Sequence, residues 1–125
     1  MKRFFVAAAV LTIGSTASAQ DVRVTLSEWK LGLSRDTVPA GSVTFRITNR
    51  GSMDHAVSIT GTGVDKSTRA VAKGEQSVLT VALKAGTYEV FCPLSDGSHK
   101  MAGMHKTLVV VPAPSEQDTH ELLGR

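Results

Sequence analysis

Polar and hydrophobic residues alternate along most of this chain, which is the pattern of β-strands with one buried face. Val22, Val24 and Leu26 alternate with polar residues near the start, and the apolar pattern continues from Leu31 toward Val38. The same period of two returns in four later stretches, which are followed by a short apolar run: residues 43–47, 55–59, 79–83, 87–92 and 108–111. The pattern therefore predicts a chain made mainly of strands.

Turn signals separate these stretches, and Pro112 ends the last one. The turn residues are Pro39-Ala40-Gly41, Asn49-Arg50-Gly51-Ser52, Gly61-Thr62-Gly63 and Lys84-Ala85-Gly86. About seven to eight short strands with such turns predict an all-β fold, an antiparallel sandwich or a small barrel. Residues 64–75 are polar and give no clear pattern, and no stretch predicts an amphipathic helix of useful length.

The first 19 residues have the anatomy of a secretory signal peptide. Lys2 and Arg3 precede a ten-residue run from Phe4 to Ile13, and Ala17-Ser18-Ala19 forms an A-x-A cleavage site. A helix that spans a bilayer needs ~20 apolar residues, so we expect cleavage after Ala19 rather than an uncleaved membrane anchor. The mature protein is then periplasmic or secreted and has no membrane span.

Cleavage also changes the charge balance of the chain. Of the 14 Lys and Arg residues, Lys2 and Arg3 leave with the signal peptide, so twelve remain against 11 acidic residues. A nucleic-acid partner would require a basic stripe, but the basic residues are scattered and offset by acids. The single Cys excludes an intramolecular disulfide and every multi-cysteine zinc or iron–sulfur site.

One turn-rich segment carries a thiol, an imidazole and a thioether within thirteen residues. These are Cys92, His99 and Met104, and a second imidazole, His55, lies 37 residues before Cys92 near another strand end. Two imidazoles, one thiolate and one weak thioether are the ligand set of a mononuclear blue-copper site. Because Cu(I) prefers sulfur and Cu(II) accepts imidazole nitrogen, a rigid mixed set suits both oxidation states.

The segments around these four residues resemble the cupredoxins, or type I copper proteins. The matching pieces are Asn49-Arg50-Gly51-Ser52-Met53-Asp54-His55, then Tyr88-Glu89-Val90-Phe91-Cys92-Pro93, then His99 and Met104. The resemblance covers roughly residues 21–111, which is nearly the whole chain after the signal peptide.

The resemblance implies an antiparallel Greek-key β-sandwich over residues 20–112, followed by a C-terminal tail over residues 113–125. It also implies that the protein shuttles electrons outside the cytoplasm. One copper ion would cycle between Cu(I) and Cu(II) on four ligands: His55, Cys92, His99 and Met104.

Three features depart from the family pattern: one spacing and two residues. Six residues separate Cys92 from His99, a longer spacing than in many members, which predicts a wider ligand loop. Ala56 stands where many members place an Asn that bonds to the Cys-bearing loop. Pro93 has no N–H to offer toward the sulfur. We therefore expect contacts around the copper ligands that differ from those of many relatives.

Two related copper chemistries are excluded by single residues. The binuclear centre of oxidases needs a second Cys four positions after the first, where this chain has Asp96. A trinuclear cluster needs a His on each side of the Cys, where this chain has Phe91 and Pro93. The sequence therefore predicts one copper ion and no enzymatic activity.

Other residues compete for two of the ligand positions. His105 competes with His99, but a ligand directly after Met104 would have to reverse the loop where the last strand begins. Met101 competes with Met104 for the axial position. The aromatic residues are expected in the core and not in the site: Trp29, Phe45, Tyr88 and Phe91.

The predicted function is that of an exported, monomeric electron carrier. It would exchange single electrons with a redox protein, such as a cytochrome or an oxidase, through transient contact at an apolar patch around His99. A second hypothesis is a periplasmic copper carrier or buffer that uses the same ligands without redox cycling, since a wide loop would ease metal release. A third is a metal-free sandwich that serves as an interaction module.

We predict that the exported protein begins at Gln20, because Ala17-Ser18-Ala19 provides the small residues that signal peptidase requires. N-terminal sequencing of the exported protein checks this. A membrane-bound protein that still begins at Met1 would contradict it.

Overall fold

A computed structural model of the chain describes residues 20–114, which form nine strands and one short helix. The predicted signal peptide, residues 1–19, and the tail beyond residue 114 lie outside the described residues. Within the described part, no helix is long and apolar enough to cross a membrane. The elements are β1 (Gln20–Ser27), β2 (Lys30–Leu33), β3 (Thr37–Pro39), β4 (Gly41–Asn49), β5 (Ser58–Gly61), β6 (Val64–Ser67), β7 (Gln76–Leu83), β8 (Gly86–Phe91), α1 (Ser98–Met101) and β9 (His105–Val111).

The strands form two sheets, of order β2-β1-β4-β7 and β3-β9-β8-β5-β6. The all-β prediction is confirmed, but both sheets are mixed: β1 pairs with β4, and β3 with β9, in parallel. All other strand pairs among the described residues are antiparallel. The parallel pairs arise because β2 turns back on β1, after which the chain crosses to the other sheet as β3.

Two strand boundaries differ from the sequence pattern. The apolar stretch from Leu31 toward Val38 divides into β2 and β3, in which Leu31 faces Leu26 of β1 and Val38 faces Val110 of β9. The polar stretch after residue 63 contains the edge strand β6, which is largely exposed and so lacks apolar alternation.

The core lies between the two sheets and is built from the alternating positions. Phe45 and Tyr88 are buried as predicted, and Phe91 is partly buried with the Lys100 ammonium 4.4 Å from its ring centroid. The prediction that Trp29 belongs to the core is wrong, because Trp29 is 47% exposed at the turn between β1 and β2. It lies beside the candidate site described below.

We predict that Phe45→Ala lowers the free energy of unfolding by about 3–5 kcal/mol, because the Phe45 ring is fully buried and its loss leaves a cavity. Val78→Thr is the matched control. Val78 is 58% exposed on the neighbouring strand β7, so this change should stay within about 0.5 kcal/mol. Denaturant unfolding measures both variants, and equal losses would contradict the assignment of the core.

Candidate metal centre

Three predicted site residues converge at one end of the sandwich. His55 lies between β4 and β5, Cys92 directly follows β8, and His99 lies on α1. One ligand atom from each lies within 4.8 Å of the other two, and all three side chains are buried. The Cys92 Sγ and the His99 Nδ1 are 3.6 Å apart. Among the described residues this is the single cluster of His, Cys, Asp or Glu side chains with metal-binding geometry.

The backbone of His55 is held by a β-bridge to Val71. The His55 N–H donates to the Val71 carbonyl at 3.1 Å, and the Val71 N–H donates to the His55 carbonyl at 2.7 Å. The buried Asn49 side chain shapes the preceding loop: its amide donates to the Met53 and Val71 carbonyls, and its oxygen accepts from the Gly51 N–H. These hydrogen bonds explain the Asn-x-Gly motif before His55, and they fix the position of the backbone from which the imidazole extends.

Cys92 is fixed by backbone hydrogen bonds across its own loop. Its N–H donates to the Met104 carbonyl at 3.0 Å, and the Met104 N–H donates to the His99 carbonyl at 3.1 Å. The Ala56 N–H points at the Cys92 Sγ from 3.5 Å, so a backbone amide contacts the sulfur at the position where an Asn was expected. Met104 is fully buried at the end of this loop, as an axial ligand would have to be.

The six residues between Cys92 and His99 fold into a compact turn. Ser95, Asp96 and Gly97 all have positive φ, of 56°, 50° and 83°, and lead directly into α1. The Ser95 hydroxyl lies 3.4 Å from the His99 Nε2, while the other ring nitrogen faces Cys92. The wide loop predicted from the spacing therefore leaves His99 only 7% exposed.

The competing ligand residues lie outside the cluster. His105 is exposed on β9, and Met101 is 88% exposed on α1. His105 is not part of the group of converging ligand atoms, which comprises His55, Cys92 and His99, and the exposure of Met101 contrasts with the complete burial of Met104.

The turn between β1 and β2 adds two residues, Trp29 and Glu28, that the sequence analysis did not place in the site. Trp29, with φ 63°, packs edge-on against His99 with ring centroids 5.4 Å apart. Gly103, with φ 129°, lies so close that a Cβ there would be 2.8 Å from the Trp29 carbonyl oxygen. The tryptophan thus covers part of His99, while nearly half of its own surface remains exposed to solvent.

Glu28, the other residue of that turn, faces His55. Its Oε1 lies 3.5 Å from the His55 Nε2 and accepts hydrogen bonds from the Ser52 N–H at 2.5 Å and the Met53 N–H at 3.2 Å. These contacts lower the pKa of Glu28 from 4.5 to about 2. The hydrogen bond from the Ser52 N–H is the largest cause, and the N–H groups of Glu28 itself and of Met53 and the His55 side chain add to it. Gly51 allows this approach, because a Cβ there would overlap the Glu28 carboxylate and lie 2.9 Å from the His55 Nε2, so that the Glu28 side chain would have to move away.

The His55 imidazole shows that the site fits a metal ion. The residue is fully buried, yet neither ring nitrogen has a hydrogen-bond partner of good geometry among the described residues. A buried polar atom without a partner costs about 1–3 kcal/mol. Because Nε2 faces Glu28, Nδ1 is the nitrogen available to the cluster. A metal ion held by two imidazoles and a thiolate would satisfy it.

This fold and donor set are those of the cupredoxins. The Cupredoxin-like domain family matches residues 3–110, and the chain belongs to that family. No curated protein is significantly similar to it in sequence.

Solved structures share the fold at low sequence identity. Reduced auracyanin from Roseiflexus castenholzii is 19% identical, with a TM-score of 0.62 over 78% of this chain and 100% of that one. An oxidised mutant of amicyanin is 20% identical, with a TM-score of 0.52 over 72% of this chain and 81% of that one. A multi-copper oxidase from Pseudomonas thermotolerans is 17% identical, with a TM-score of 0.65 over 80% of this chain but 31% of the oxidase.

We predict that acid removes a stabilising contribution of Glu28 from the metal-free protein. Since folding lowers its pKa from 4.5 to about 2, the contribution is complete above pH 4.5 and is lost as the pH falls toward 2. Glu28→Gln cannot titrate, so its deficit in unfolding free energy should shrink between about pH 6 and about pH 3. Denaturant unfolding measures this deficit, and one that is constant with pH would contradict the prediction.

Proposed function

We propose that this protein is an electron carrier that binds one copper ion through His55, Cys92 and His99, with Met104 as the axial ligand. The observation that carries the proposal is the convergence of two imidazoles and one thiol within 4.8 Å, all three buried. A trigonal His₂Cys set with a weak axial thioether suits a blue-copper electron-transfer site. Auracyanin and amicyanin, which share the fold, are described in a reduced and an oxidised form respectively, which supports a redox role.

The bound copper ion would supply one-electron exchange between Cu(I) and Cu(II). The chain contributes rigidity: the β-bridge to Val71 fixes His55, and the hydrogen bond that the Cys92 N–H donates to the Met104 carbonyl fixes Cys92. A site that holds its ligands in place before the electron arrives needs little rearrangement afterwards. Burial of all three side chains also keeps water away from the sulfur.

The contact surface for a redox partner would lie around His99. Of the three converging side chains, that of His99 is the one that is not completely buried. Trp29, which packs against it, is 47% exposed, and Met101, two residues further along the chain, is 88% exposed. Lys100 is engaged with Glu89 at 3.0 Å, which leaves the patch mainly apolar. An apolar patch suits the brief contacts of electron transfer, which bury little surface.

The protein would act as a carrier and not as an enzyme. Its likeness to the multi-copper oxidase covers 31% of that protein, and the described residues hold one candidate metal site. Because the sequence predicts a signal peptide, we propose that the protein works in the periplasm or outside the cell, and that it does so as a monomer.

We predict that the copper-loaded protein is intensely coloured, because the Cys92 thiolate donates charge to Cu(II), and that Cys92→Ala is colourless. Met101→Ala is the matched control and should keep the colour, since the Met101 side chain is exposed to solvent and not buried with the candidate ligands. Visible absorption of the Cu(II)-loaded proteins measures this. A colourless wild type that has bound Cu(II) would refute the blue-copper assignment.

Two rates distinguish the proposed electron carrier from a copper carrier with the same ligands: the rate of electron self-exchange and the rate of copper transfer to a chelator. An electron carrier should show fast electron self-exchange and slow copper transfer to a chelator. Slow self-exchange combined with fast copper transfer would contradict the proposed function.

A further inference from the structure

We propose that Glu28 is a positioning residue for the metal centre: its carboxylate accepts a hydrogen bond from the His55 Nε2–H while Nδ1 faces the copper ion. The inference rests on the proposed copper site. It adds that Glu28 fixes the orientation and the tautomer of His55, and that its negative charge favours Cu(II) over Cu(I).

The geometry around His55 leaves Glu28 as the acceptor. Its Oε1 is 3.5 Å from Nε2, slightly beyond an ordinary N–H···O hydrogen bond, and we expect the pair to close to hydrogen-bond distance in the metal-loaded protein. Among the described residues neither nitrogen of this buried ring has another partner. The absence of a side chain at Gly51 opens the space through which the carboxylate and the imidazole approach each other.

The carboxylate is held in place before any metal binds. The Ser52 N–H, the Ser52 hydroxyl and the Met53 N–H all point at the same oxygen, Oε1. The tight turn that carries Glu28 is fixed by the pairing of Ser27 with Lys30 at the adjoining ends of β1 and β2. No Lys or Arg of the described residues lies within ion-pair distance of Glu28, so its charge is directed at His55.

The two imidazoles of the site are therefore unequal. The His55 Nε2 faces a carboxylate, whereas the His99 Nε2 faces the neutral hydroxyl of Ser95 at 3.4 Å. A carboxylate behind a ligating His fixes the ring and makes the other nitrogen a stronger donor, and its loss typically costs 10–100-fold in metal affinity. A stronger donor and a nearby negative charge stabilise Cu(II) more than Cu(I), so Glu28 should lower the reduction potential.

The test is the reduction potential of Glu28→Gln, measured by redox titration of the copper-loaded protein. We expect the ratio of Cu(II) to Cu(I) affinity to fall about tenfold, which raises the potential by about 59 mV for one electron. Asp65→Asn is the matched control. It removes the same charge from an exposed residue of the edge strand β6 that forms no ion pair among the described residues, and it should leave the potential nearly unchanged.

A blue Glu28→Gln protein with the potential of the wild type would overturn the proposal, even if it is less stable, since a purely structural role would cost stability alone. An equal shift in Asp65→Asn would also overturn it. A wild type that lacks the blue absorption refutes the copper site itself, which is a separate failure.

A second measurement needs no variant and so does not depend on Glu28→Gln being folded. Nitrogen-15 NMR of the Cu(I)-loaded wild type reports which His55 nitrogen carries the proton. We expect the proton on Nε2, shifted as in a hydrogen bond to a carboxylate. A proton on Nδ1 would overturn the proposal.

Discussion

The burial of an imidazole without a hydrogen-bond partner is the constraint on which this structure depends. His55 is inaccessible to solvent, and within the described residues neither of its ring nitrogens has a hydrogen-bond partner of good geometry; the Glu28 carboxylate lies 3.5 Å from Nε2. Proteins rarely leave buried polar atoms unpaired, because each such atom loses its hydrogen bonds to water on folding and gains none in return. Hydrogen bonds of the surrounding backbone hold the ring in this position. They are the β-bridge between His55 and Val71 and the bonds of the Asn49 side chain in the preceding loop.

Both sheets contribute to this end of the sandwich, although in different ways. The sheet that contains β8 delivers Cys92, and the loop that follows delivers His99. The other sheet contributes the short turn after β1, in which Glu28 reaches His55 and Trp29 reaches His99. One turn thus touches both imidazoles, so the two sheets cannot shift against each other without moving the candidate ligands.

The sequence pattern predicted much of the fold because burial follows alternation in most strands. It could not predict the parallel pairs, since alternation says which face is buried and nothing about which strand lies alongside. The edge strand β6 was missed for a related reason: its residues are exposed and carry no apolar signal. The order of His, Cys, His and Met along the chain was visible, and the structure brings His55, Cys92 and His99 together.

Glu28 and Trp29 lay outside the reach of sequence reasoning for a physical reason. Their roles depend on a two-residue turn whose register places one side chain against each imidazole. They also depend on the positive φ of Trp29, a conformation that a sequence usually signals with Gly. A large aromatic residue after a strand is more often core than surface, so Trp29 was misplaced. Knowledge of the pairing between β1 and β2 would have been needed to find either residue.

X-ray absorption at the copper edge tests the central claim most directly, because it reports the atoms bound to the metal in solution. The account predicts one copper ion per chain with two nitrogen neighbours and one close sulfur neighbour in both oxidation states. A first shell of nitrogen and oxygen alone, with no sulfur, would contradict it.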